Sequence, residues 1–304
     1  MVQLLPVFVT FLFSGVTVIG QTVVISNDDG WAEAQIRAQF NALDAAGFEV
    51  VLSSPAENQS GRGSLSTTPE VVVGGCEFNS CPPGSPAVGL NASDPRLNYV
   101  NAFPVDAARF GIETLAPQFF GSPPDILVSG PNVGRNTGLE VFFSGTVGAA
   151  IEGTKHGVPA IAFSGQGTSH VSYTTLSDST STNTISSLAF ASLTVKFVQT
   201  LFASGSSPLL PSDVTLNVNY PTLSASCSAA NVQFVLSRAL PSLLPVDIDI
   251  CDNRGRLPTE DTVLGAGCFA SVSVLSTTLK LDANASKQSQ VLTTLSKLPL
   301  VCLP

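Results

Sequence analysis

Residues 22–30 read TVVISNDDG, a largely apolar run that ends in two adjacent aspartates, Asp28 and Asp29. A continuous apolar run of this length is typical of a strand that is buried on both faces of a sheet. Apolar residues then recur at helical spacing over 32–46, and 48–53 (FEVVLS) is a second strand-like run. A strand, a helix and a second strand in this order predict a parallel sheet of the α/β class.

The same alternation continues to about residue 204. Helical spacing and strand-like runs follow one another as helix 105–116, strand 125–129, helix 146–156, strand 158–164 and helix 183–202. We therefore predict a doubly wound, mostly parallel sheet with helices on both faces over residues 21–204. Residues 205–304 are predicted to form an appended β-rich extension. Its strand-like runs, joined by Ser/Pro-rich loops, are 214–219, 232–236 and 269–275.

The composition is that of a globular chain with an acidic surface. Of the 304 residues, 44% are hydrophobic and only 12% are charged, so the chain can bury a large core and disorder is disfavoured. The formal net charge of −9 argues against a nucleic-acid polymer or an anionic membrane as a partner, because like charges repel. Small anionic substrates remain open, since a local pocket can oppose the sign of the whole molecule.

Residues 1–20, MVQLLPVFVTFLFSGVTVIG, form a short apolar run that ends in small residues. Val18 and Gly20 fit the positions before a signal-peptidase site, so this segment is predicted to be a secretory signal and the mature chain to be secreted. A membrane anchor is the alternative, since the segment carries no Lys or Arg. The anchor is disfavoured because a span needs about 20 apolar residues and a proline interrupts this run. No later stretch is predicted to be long and apolar enough to span a membrane.

The cysteine content agrees with secretion. The chain has six cysteines, at Cys76, Cys81, Cys227, Cys251, Cys268 and Cys302. An even number in a secreted chain predicts disulfides. Cys76 and Cys81 are the expected local pair, because only four residues of a Gly/Pro-rich region separate them. The spacing leaves the pairing of the other four open.

Four polar motifs follow strand-like runs or open a helix. They are 26–30 (SNDDG), 55–61 (PAENQSG), 129–138 (SGPNVGRNTG) and 144–146 (SGT). Each motif alone has an ordinary explanation as a helix cap or a polar turn. Together they predict one site, because the carboxyl ends of parallel strands meet at one edge of a sheet and ligands bind there.

The side chains of these motifs suit phosphoryl chemistry. Two adjacent carboxylates repel each other unless a cation or a proton intervenes. Asp, Ser and Asn offer only oxygen donors, which favour Mg²⁺, Mn²⁺ or Ca²⁺. Zinc is disfavoured, because the chain has two histidines and no zinc-type cysteine spacing. A hard cation beside a hydroxyl-rich turn that opens a helix predicts hydrolysis of phosphate esters.

The order of these motifs resembles the SurE family of phosphatases and nucleotidases. NDDG, PAENQSG, SGPNVGRNTG, SGTVGAAIEG and GVPAIAFS follow one another within residues 22–165, and VTLNVNYP at 214–221 adds a later match. Several motifs in the right order are specific. The resemblance implies a Rossmann-like sheet with a divalent metal at its edge. It also implies hydrolysis of nucleoside monophosphates and other phosphomonoesters, by some members best in acid.

The resemblance also implies a set of site residues. The family's metal ligands match Asp28, Asp29, Ser60 and Asn132, and its phosphate-binding turn matches Ser144, Gly145 and Thr146. Asn136, from the same motif as Asn132, is added as a phosphate-binding residue. Asp28 and Asp29 are the expected catalytic residues. The nucleophile is either a water activated at the metal or one of these carboxylates, and the sequence leaves the two open.

The chain departs from the family pattern in three respects. Family members are usually cytosolic and poor in cysteine, whereas this chain has a signal-like start and six cysteines. The family's Gly-Thr-Pro-x-Asp segment reads AFPVD at 102–106. The C-terminal third matches weakly. In the family this third often exchanges between subunits, so a homo-oligomer is left open.

Sequons of the form Asn-x-Ser occur at Asn58, Asn91 and Asn284. A glycan on Asn58 would lie two residues from Ser60 and would crowd the predicted site. We therefore expect glycans at Asn91 and Asn284 and little or none at Asn58.

Two other functions compete with phosphoester hydrolysis. A secreted binding or surface protein with the same fold and no catalysis would be expected to lack a ligand, yet all four are present. A Ser-His-Asp esterase is disfavoured because the chain contains no Gly-x-Ser-x-Gly motif. His156 and His170 are candidate proton donors, although His156 follows a predicted helix end, where a cation suits the helix dipole. His170 falls in a polar loop.

Overall fold

The computed structural model describes residues 20–304. The predicted signal sequence, residues 1–20, lies outside the described residues except for Gly20. In the described range the strands are β1 (Thr22–Ser26), β2 (Glu49–Pro55), β3 (Val88–Asn91), β4 (Asp94–Val100), β5 (Ile126–Val133), β6 (Ala160–Gly165), β7 (Val214–Tyr220), β8 (Gln233–Ser237) and β9 (Phe269–Ser276). They form one sheet in the order β3-β4-β2-β1-β5-β6-β7-β9-β8.

The helices of the same range alternate with the strands over most of the chain. They are α1 (Ala34–Ala45), α2 (Pro104–Phe110), α3 (Ala116–Phe120), α4 (Glu140–Phe143), α5 (Gly145–Lys155), α6 (Thr182–Ala203), α7 (Glu260–Gly265) and α8 (Ala285–Thr294). A π-helical turn, Gly111–Leu115, joins α2 to α3. Helices α1 and α6 pack on one face of the sheet, and α2 and α5 pack on the other.

Strand β1 lies inside the sheet and is buried on both faces. It pairs in parallel with β2 on one side and with β5 on the other. Val23 and Ile25 belong to one hydrophobic core, whereas Val24 belongs to the core on the opposite face. Both faces of the strand are covered, which explains why its sequence is continuously apolar rather than alternating. The predicted doubly wound, mostly parallel sheet is confirmed.

The same sheet continues across the predicted boundary at residue 204. Strand β7 pairs in parallel with β6, β9 pairs antiparallel with β7, and β8 pairs in parallel with β9. The C-terminal strands therefore extend the sheet beside the parallel core. The division of the chain into units 21–204 and 205–304 stays a prediction.

Helix α6 is the one helix within residues 20–304 that has the length and hydropathy of a membrane span. The expectation that no stretch after residue 20 is long and apolar enough to span a membrane was wrong in length and hydropathy. Half of its most apolar 18-residue stretch is buried inside the fold. Phe190 stacks on Tyr220 and Phe197 packs edge-on against Phe163, each at 5.5 Å between ring centroids. Packing against the sheet therefore accounts for its apolar character.

All six cysteines form disulfides, and the local pair Cys76–Cys81 is confirmed. The pairs that the spacing left open are Cys227–Cys268 and Cys251–Cys302. The first of these follows from the sheet: β8 and β9 are parallel neighbours, so the segments that precede them meet at one edge. Together, the two long-range bridges fix the C-terminal third of the chain.

Replacing either long-range pair by serines is expected to lower the free energy of unfolding by about 3–4 kcal/mol, and replacing Cys76–Cys81 by about 2 kcal/mol. The difference arises because loop entropy grows with sequence separation, which is 41 and 51 residues for the long-range pairs and 5 for the local one. Denaturant unfolding of the three variants, each with one disulfide pair replaced by serines, measures the loss in free energy of unfolding. Equal losses would contradict the loop argument, and six titratable thiols in the denatured wild type would overturn the bridges themselves.

Candidate active site

The two aspartates lie in a tight turn directly after β1. Asn27 closes the turn: its Nδ2 donates to the Gly30 carbonyl at 3.0 Å, and its Oδ1 accepts from the Gly30 N–H at 3.2 Å. Gly30 has a φ of 106°, which L side chains rarely adopt, so the turn requires glycine there. The turn carries Asp28 and Asp29 into the interior, where each side chain belongs to a residue that is only 2% exposed.

Asp28 lies against the first turn of α5. Its Oδ1 accepts a hydrogen bond of 2.5 Å from the Thr146 hydroxyl. A Cβ on Gly145 would come within 2.7 Å of the Asp28 Cβ, so this close approach requires glycine. Burial raises the pKa of Asp28, whereas the Thr146 hydroxyl and the backbone N–H groups of Gly145 and Thr146 favour the charged form and lower it.

Asp29 is held from the other side, by the end of β5. Its Oδ2 accepts from the Val133 N–H at 2.7 Å. Burial raises the pKa of Asp29 well above its ordinary value, and the negative charges of Asp28 and Glu33 raise it further. No Lys or Arg of the described chain forms an ion pair with Asp28 or Asp29. The two carboxylates are therefore buried together without a Lys or Arg partner, and the opposing charge that acts on Asp29 among the described residues is that of His170.

Asn132 and Asn136 lie beside this pair. Asn132 Nδ2 donates to the carbonyl two residues on at 2.8 Å, and its Oδ1 lies 3.2 Å from the Thr146 hydroxyl. Asn136 Nδ2 donates to Ser164 Oγ at 2.9 Å and lies 3.4 Å from the same Thr146 hydroxyl. Thr146 therefore links Asp28, Asn132 and Asn136 through one oxygen atom.

Ser60 lies on the loop after β2, which is tied to both sides of the site. The Gln59 N–H donates to the Asp28 carbonyl at 2.7 Å, and the Gly63 N–H donates to the Phe143 carbonyl at 3.0 Å. Ser60 itself is exposed, unlike the other three predicted metal ligands. It is therefore the predicted ligand with the most freedom to move.

A cleft of about 310 Å³ opens over these residues. Its walls are formed by Asp28, Ser60, Gly61, Asn132, Val133, Arg135, Asn136, Glu140, Phe143 and Ser144. Five predicted site residues thus share one cleft: Asp28, Ser60, Asn132, Asn136 and Ser144. The other three do not line the cleft but contact residues that do: Asp29 contacts Val133, and Gly145 and Thr146 contact Asp28.

Ser144 acts as a helix cap as well as a cleft residue. Its Oγ accepts from the Val147 N–H at 3.1 Å, an interaction that is common at helix starts. The next two N–H groups, of Gly145 and Thr146, favour the charged form of Asp28. The protein itself therefore uses part of the donor capacity of this turn, and its phosphate-binding role stays a prediction.

The donor set fits a hard divalent cation. The Asp28 carboxylate and the Asn132 amide oxygen meet at the Thr146 hydroxyl, and the Asp29 carboxylate is buried next in sequence without a Lys or Arg partner; burying such charges unpaired is costly. Oxygen ligands of this kind suit Mg²⁺, Mn²⁺ or Ca²⁺. Within residues 20–304 no group of three or more His, Cys, Asp or Glu side chains is arranged for a metal. A metal at the cleft would therefore depend on a mixed set of carboxylate, amide and hydroxyl oxygens.

Five cleft residues were not predicted as site residues from the sequence, and three of them carry a charge or an aromatic ring: Arg135, Glu140 and Phe143, besides Gly61 and Val133. Arg135 stands inside the motif SGPNVGRNTG, between the two predicted asparagines, and its charge was the available signal. Glu140 and Phe143 belong to α4, a helix too short to give a periodic pattern. The rim of the cleft therefore carries one cation, one carboxylate and one aromatic ring.

A second group of residues holds the backbone of Asp29. His170 Nε2 lies 2.7 Å from the Asp29 carbonyl oxygen and 3.3 Å from Glu77 Oε2. Glu77 belongs to the segment closed by the Cys76–Cys81 disulfide, and its carboxylate raises the pKa of His170. Neither His170 nor the other candidate proton donor, His156, lines the cleft. The geometry therefore gives His170 a supporting position behind Asp29.

The sequons lie at the surface. Asn91 is partly exposed at the end of β3, and Asn284 caps α8 through its Oδ1. Asn58 is exposed, and its Oδ1 accepts from the Ser60 N–H at 2.8 Å.

Peptide mass mapping of the protein after expression through a eukaryotic secretory pathway is expected to find glycans at Asn91 and Asn284 and an unmodified Asn58. The expectation at Asn58 rests on its place beside Ser60 at the mouth of the cleft. Full occupancy of Asn58 in an active enzyme would remove Ser60 from the set of ligands.

The C-terminal segment supports the loop that carries Asn136. Glu260, at the start of α7, accepts from the Gly138 N–H at 3.2 Å and from Asn217 Nδ2 at 2.7 Å. Asn217 Nδ2 also donates to the Asn136 carbonyl at 2.8 Å. Burial raises the pKa of Glu260 to about 8.

Glu260→Gln is expected to stabilise the protein at pH 8.5 and to change its stability little at pH 4.5. The folded pKa of about 8 exceeds the unfolded value of 4.5, so protonated Glu260 favours folding. That contribution is complete below the unfolded pKa and is lost as the pH rises through the folded one. The gain at pH 8.5 should be at most about 5 kcal/mol in denaturant unfolding, the equivalent of the difference between the two pKa values. An equal gain in stability at pH 4.5 and at pH 8.5 would contradict the raised pKa of Glu260.

Comparison with known proteins shows which family the chain that forms this cleft resembles. The model of the family described as "Survival protein SurE" matches residues 23–239, which include every residue of the cleft. An acid phosphatase of Yarrowia lipolytica is 32% identical over 302 residues, covering 89% of this chain and 83% of the relative. A 5'-nucleotidase SurE of Gloeobacter violaceus is 35% identical over 142 residues, covering 47% of this chain and 49% of that protein.

A solved structure shares the fold. The SurE protein from Aquifex aeolicus superposes with a TM-score of 0.58 at 24% sequence identity, covering 85% of this chain and 94% of that one. The resemblance predicted from the motif order is thereby confirmed, and the chain belongs to the SurE family.

Proposed function

We propose that this chain is a secreted, divalent-metal-dependent hydrolase of small phosphate monoesters. The observation that carries the proposal is the pair Asp28 and Asp29. Each is 2% exposed, neither pairs with a basic side chain of the described chain, and Asp28 lines a cleft of hydroxyl and amide groups. The relatives support this class of reaction, since they are named acid phosphatase and 5'-nucleotidase. The proposal includes both acid phosphatase and 5'- or 3'-nucleotidase activity.

The proposed metal ligands are Asp28, Asp29, Ser60 and Asn132. Enzymes of the SurE family use divalent metal ions. Mg²⁺ and Mn²⁺ are the first candidates for this oxygen set, and Ca²⁺ is the third. When bound, such an ion supplies positive charge that offsets the charge of the phosphoryl group in the transition state.

The chain's own residues orient the groups of the site. The Thr146 hydroxyl donates to Asp28 and the Val133 N–H donates to Asp29, and both bonds favour the ionised carboxylates. In the proposal, Ser144, Gly145, Thr146 and Asn136 bind the phosphate oxygens. The attacking group is a water or one of the two catalytic carboxylates, Asp28 and Asp29. A burst of released alcohol would distinguish the carboxylate, because it forms a covalent intermediate.

The expected partner is a small phosphomonoester. The net charge of −9 disfavours a nucleic-acid polymer, and the cleft of about 310 Å³ suits a small ligand. The disulfides are those of a chain folded in an oxidising compartment, which supports secretion. We propose a soluble mature protein without membrane attachment, and its state of association stays open.

The test is hydrolysis by the purified chain between pH 4 and 8, followed as inorganic phosphate from the monoesters and as released alcohol or p-nitrophenol from the other esters. The panel comprises p-nitrophenyl phosphate, 5'- and 3'-nucleoside monophosphates, a phosphodiester and p-nitrophenyl acetate. Hydrolysis confined to the monoesters is expected. Turnover of the acetate alone would favour an esterase. Phosphate binding without turnover under every condition would favour the alternative, a SurE-like binding protein without catalysis.

A further inference from the structure

We propose that Arg135 binds the phosphate of the substrate and that two carboxylates, Glu140 and Asp261, compete with the substrate for its guanidinium. The inference rests on the proposed function and adds a residue that the motif comparison did not assign. Arg135 is the one basic side chain among the cleft residues within 20–304, and it lies between Gly134 and Asn136.

The ion pairs of Arg135 lie at the rim and are exposed to solvent. Its Nη1 lies 3.0 Å from Asp261 Oδ1, and its Nε lies 3.8 Å from Glu140 Oε2. The side chains of all three residues are roughly half exposed, at 46%, 55% and 51% for Arg135, Asp261 and Glu140. Exposed pairs of this kind contribute little net free energy, because water screens them and holding two long side chains costs entropy. Breaking the two ion pairs of Arg135 therefore requires little free energy.

Both carboxylates have a second partner that does not depend on Arg135. Asp261 Oδ1 accepts from the Thr137 hydroxyl at 2.8 Å, and Glu140 Oε2 accepts from the Thr137 N–H at 3.1 Å. Departure of the guanidinium therefore leaves neither carboxylate without a hydrogen bond. The arrangement allows the guanidinium to exchange partners without disrupting the loop.

A phosphate is the better partner for this guanidinium. The planar donor fork of arginine matches two phosphate oxygens at once, and such paired, charge-assisted bonds are stronger than a single contact to an exposed carboxylate. The rest of the cleft carries carboxylates at Asp28 and Glu140, and its other groups are uncharged amides, hydroxyls and apolar groups. A phosphate dianion entering an acidic chain would otherwise meet its own sign of charge at the rim.

The position of Arg135 at the rim predicts an effect on binding more than on the chemical step. A contact made equally in the ground state and the transition state changes KM and leaves kcat nearly unchanged. Removing the charge of a competing carboxylate is expected to lower KM, whereas removing Arg135 raises it. The reason is that the guanidinium is then free to bind the phosphate. Asp261→Asn is suited to this, because its side-chain oxygen can still accept from Thr137.

The experiment compares three variants of the full-length mature enzyme with wild type in Mg²⁺. Arg135→Ala is expected to raise KM for p-nitrophenyl phosphate by about tenfold, with less than about a threefold change in kcat, and Arg135→Lys to recover part of the loss. Asp261→Asn is expected to lower KM by about twofold to threefold. Inorganic phosphate binding, measured by calorimetry, should change in parallel.

Arg96→Ala is the matched control. Arg96 also bridges two carboxylates, Asp44 and Asp94, and is 35% exposed, but it lies on β4 away from the cleft. Loss of the same net charge there should leave KM and phosphate binding unchanged.

Two results would overturn the assignment of Arg135: phosphate binding by Arg135→Ala as tight as by Arg96→Ala, or no change in Asp261→Asn. If Arg135→Ala fails to fold, the KM and the phosphate affinity of Asp261→Asn still test whether Arg135 binds the phosphate. Absence of turnover in wild type would count against the proposed function instead, and calorimetry with inorganic phosphate would still test Arg135.

Discussion

Chelation with EDTA is expected to reduce phosphate release from p-nitrophenyl phosphate by at least about a hundredfold, and added Mg²⁺ or Mn²⁺ is expected to restore it. The reason is the buried pair Asp28 and Asp29, which has no Lys or Arg partner in the described chain and in which the charge of Asp28 raises the pKa of Asp29. Positive charge supplied at such a site contributes several kcal/mol to stabilisation of the transition state, which corresponds to a loss of this size.

The control for chelation is EDTA that is already saturated with Mg²⁺, which should leave turnover unchanged. Circular dichroism of the stripped protein should show that the fold persists. Full turnover by folded protein without bound divalent metal would rule out the metal-dependent mechanism. Recovery with Zn²⁺ alone would show that the argument from oxygen donors is wrong.

Asp28→Asn and Asp29→Asn are each expected to lower kcat/KM by at least about a hundredfold. Each substitution keeps the shape of the side chain but removes one charge from the pair that is proposed to hold the metal and to serve as catalytic carboxylates. Steady-state assays at saturating Mg²⁺ measure the effect. Glu49→Gln is the matched control, because Glu49 is an exposed carboxylate at the opposite end of β2 and should not change turnover.

The stability of these variants separates a metal site from a structural carboxylate pair. Without divalent ions, Asp29→Asn should unfold at a higher denaturant concentration than wild type, because the charge of Asp28 no longer opposes a buried neighbour. With saturating Mg²⁺, wild type should gain stability that the variant does not, since a ligand that binds only the folded state stabilises it. Wild-type turnover by both variants would refute the assignment of these residues.

The sequence predicted the centre of the sheet well because burial on both faces leaves a simple signal. Strands β1 and β5 are continuously buried apolar runs over 22–26 and 126–128. The two outermost strands on the β3 side of the sheet lack this signal. Strand β4 (DPRLNYV) begins with three polar or Pro residues, of which Pro95 is exposed and the other two are partly buried, and it was missed together with β3.

The convergence of the motifs at one edge of the sheet was also predictable, because every motif followed a strand or opened a helix. Parallel pairing of β1 with β5 brings Asp28 and Asn132 to one edge of the sheet, and the sequence order was enough to foresee it. Contacts between distant segments were not predictable. His170 meets Asp29 across 141 residues, and Glu260 meets Gly138 across 122, with no local pattern to indicate either.

The most direct test of the central claim is to locate the ion itself. Crystals of the mature protein soaked in Mn²⁺ would be measured for anomalous scattering, in wild type and in Asp28→Asn. We predict one strong peak in contact with carboxylate oxygens of Asp28 and Asp29 and the side-chain oxygen of Asn132, and loss of that peak in the variant. A peak at another site only, or an unchanged peak in Asp28→Asn, would contradict the account.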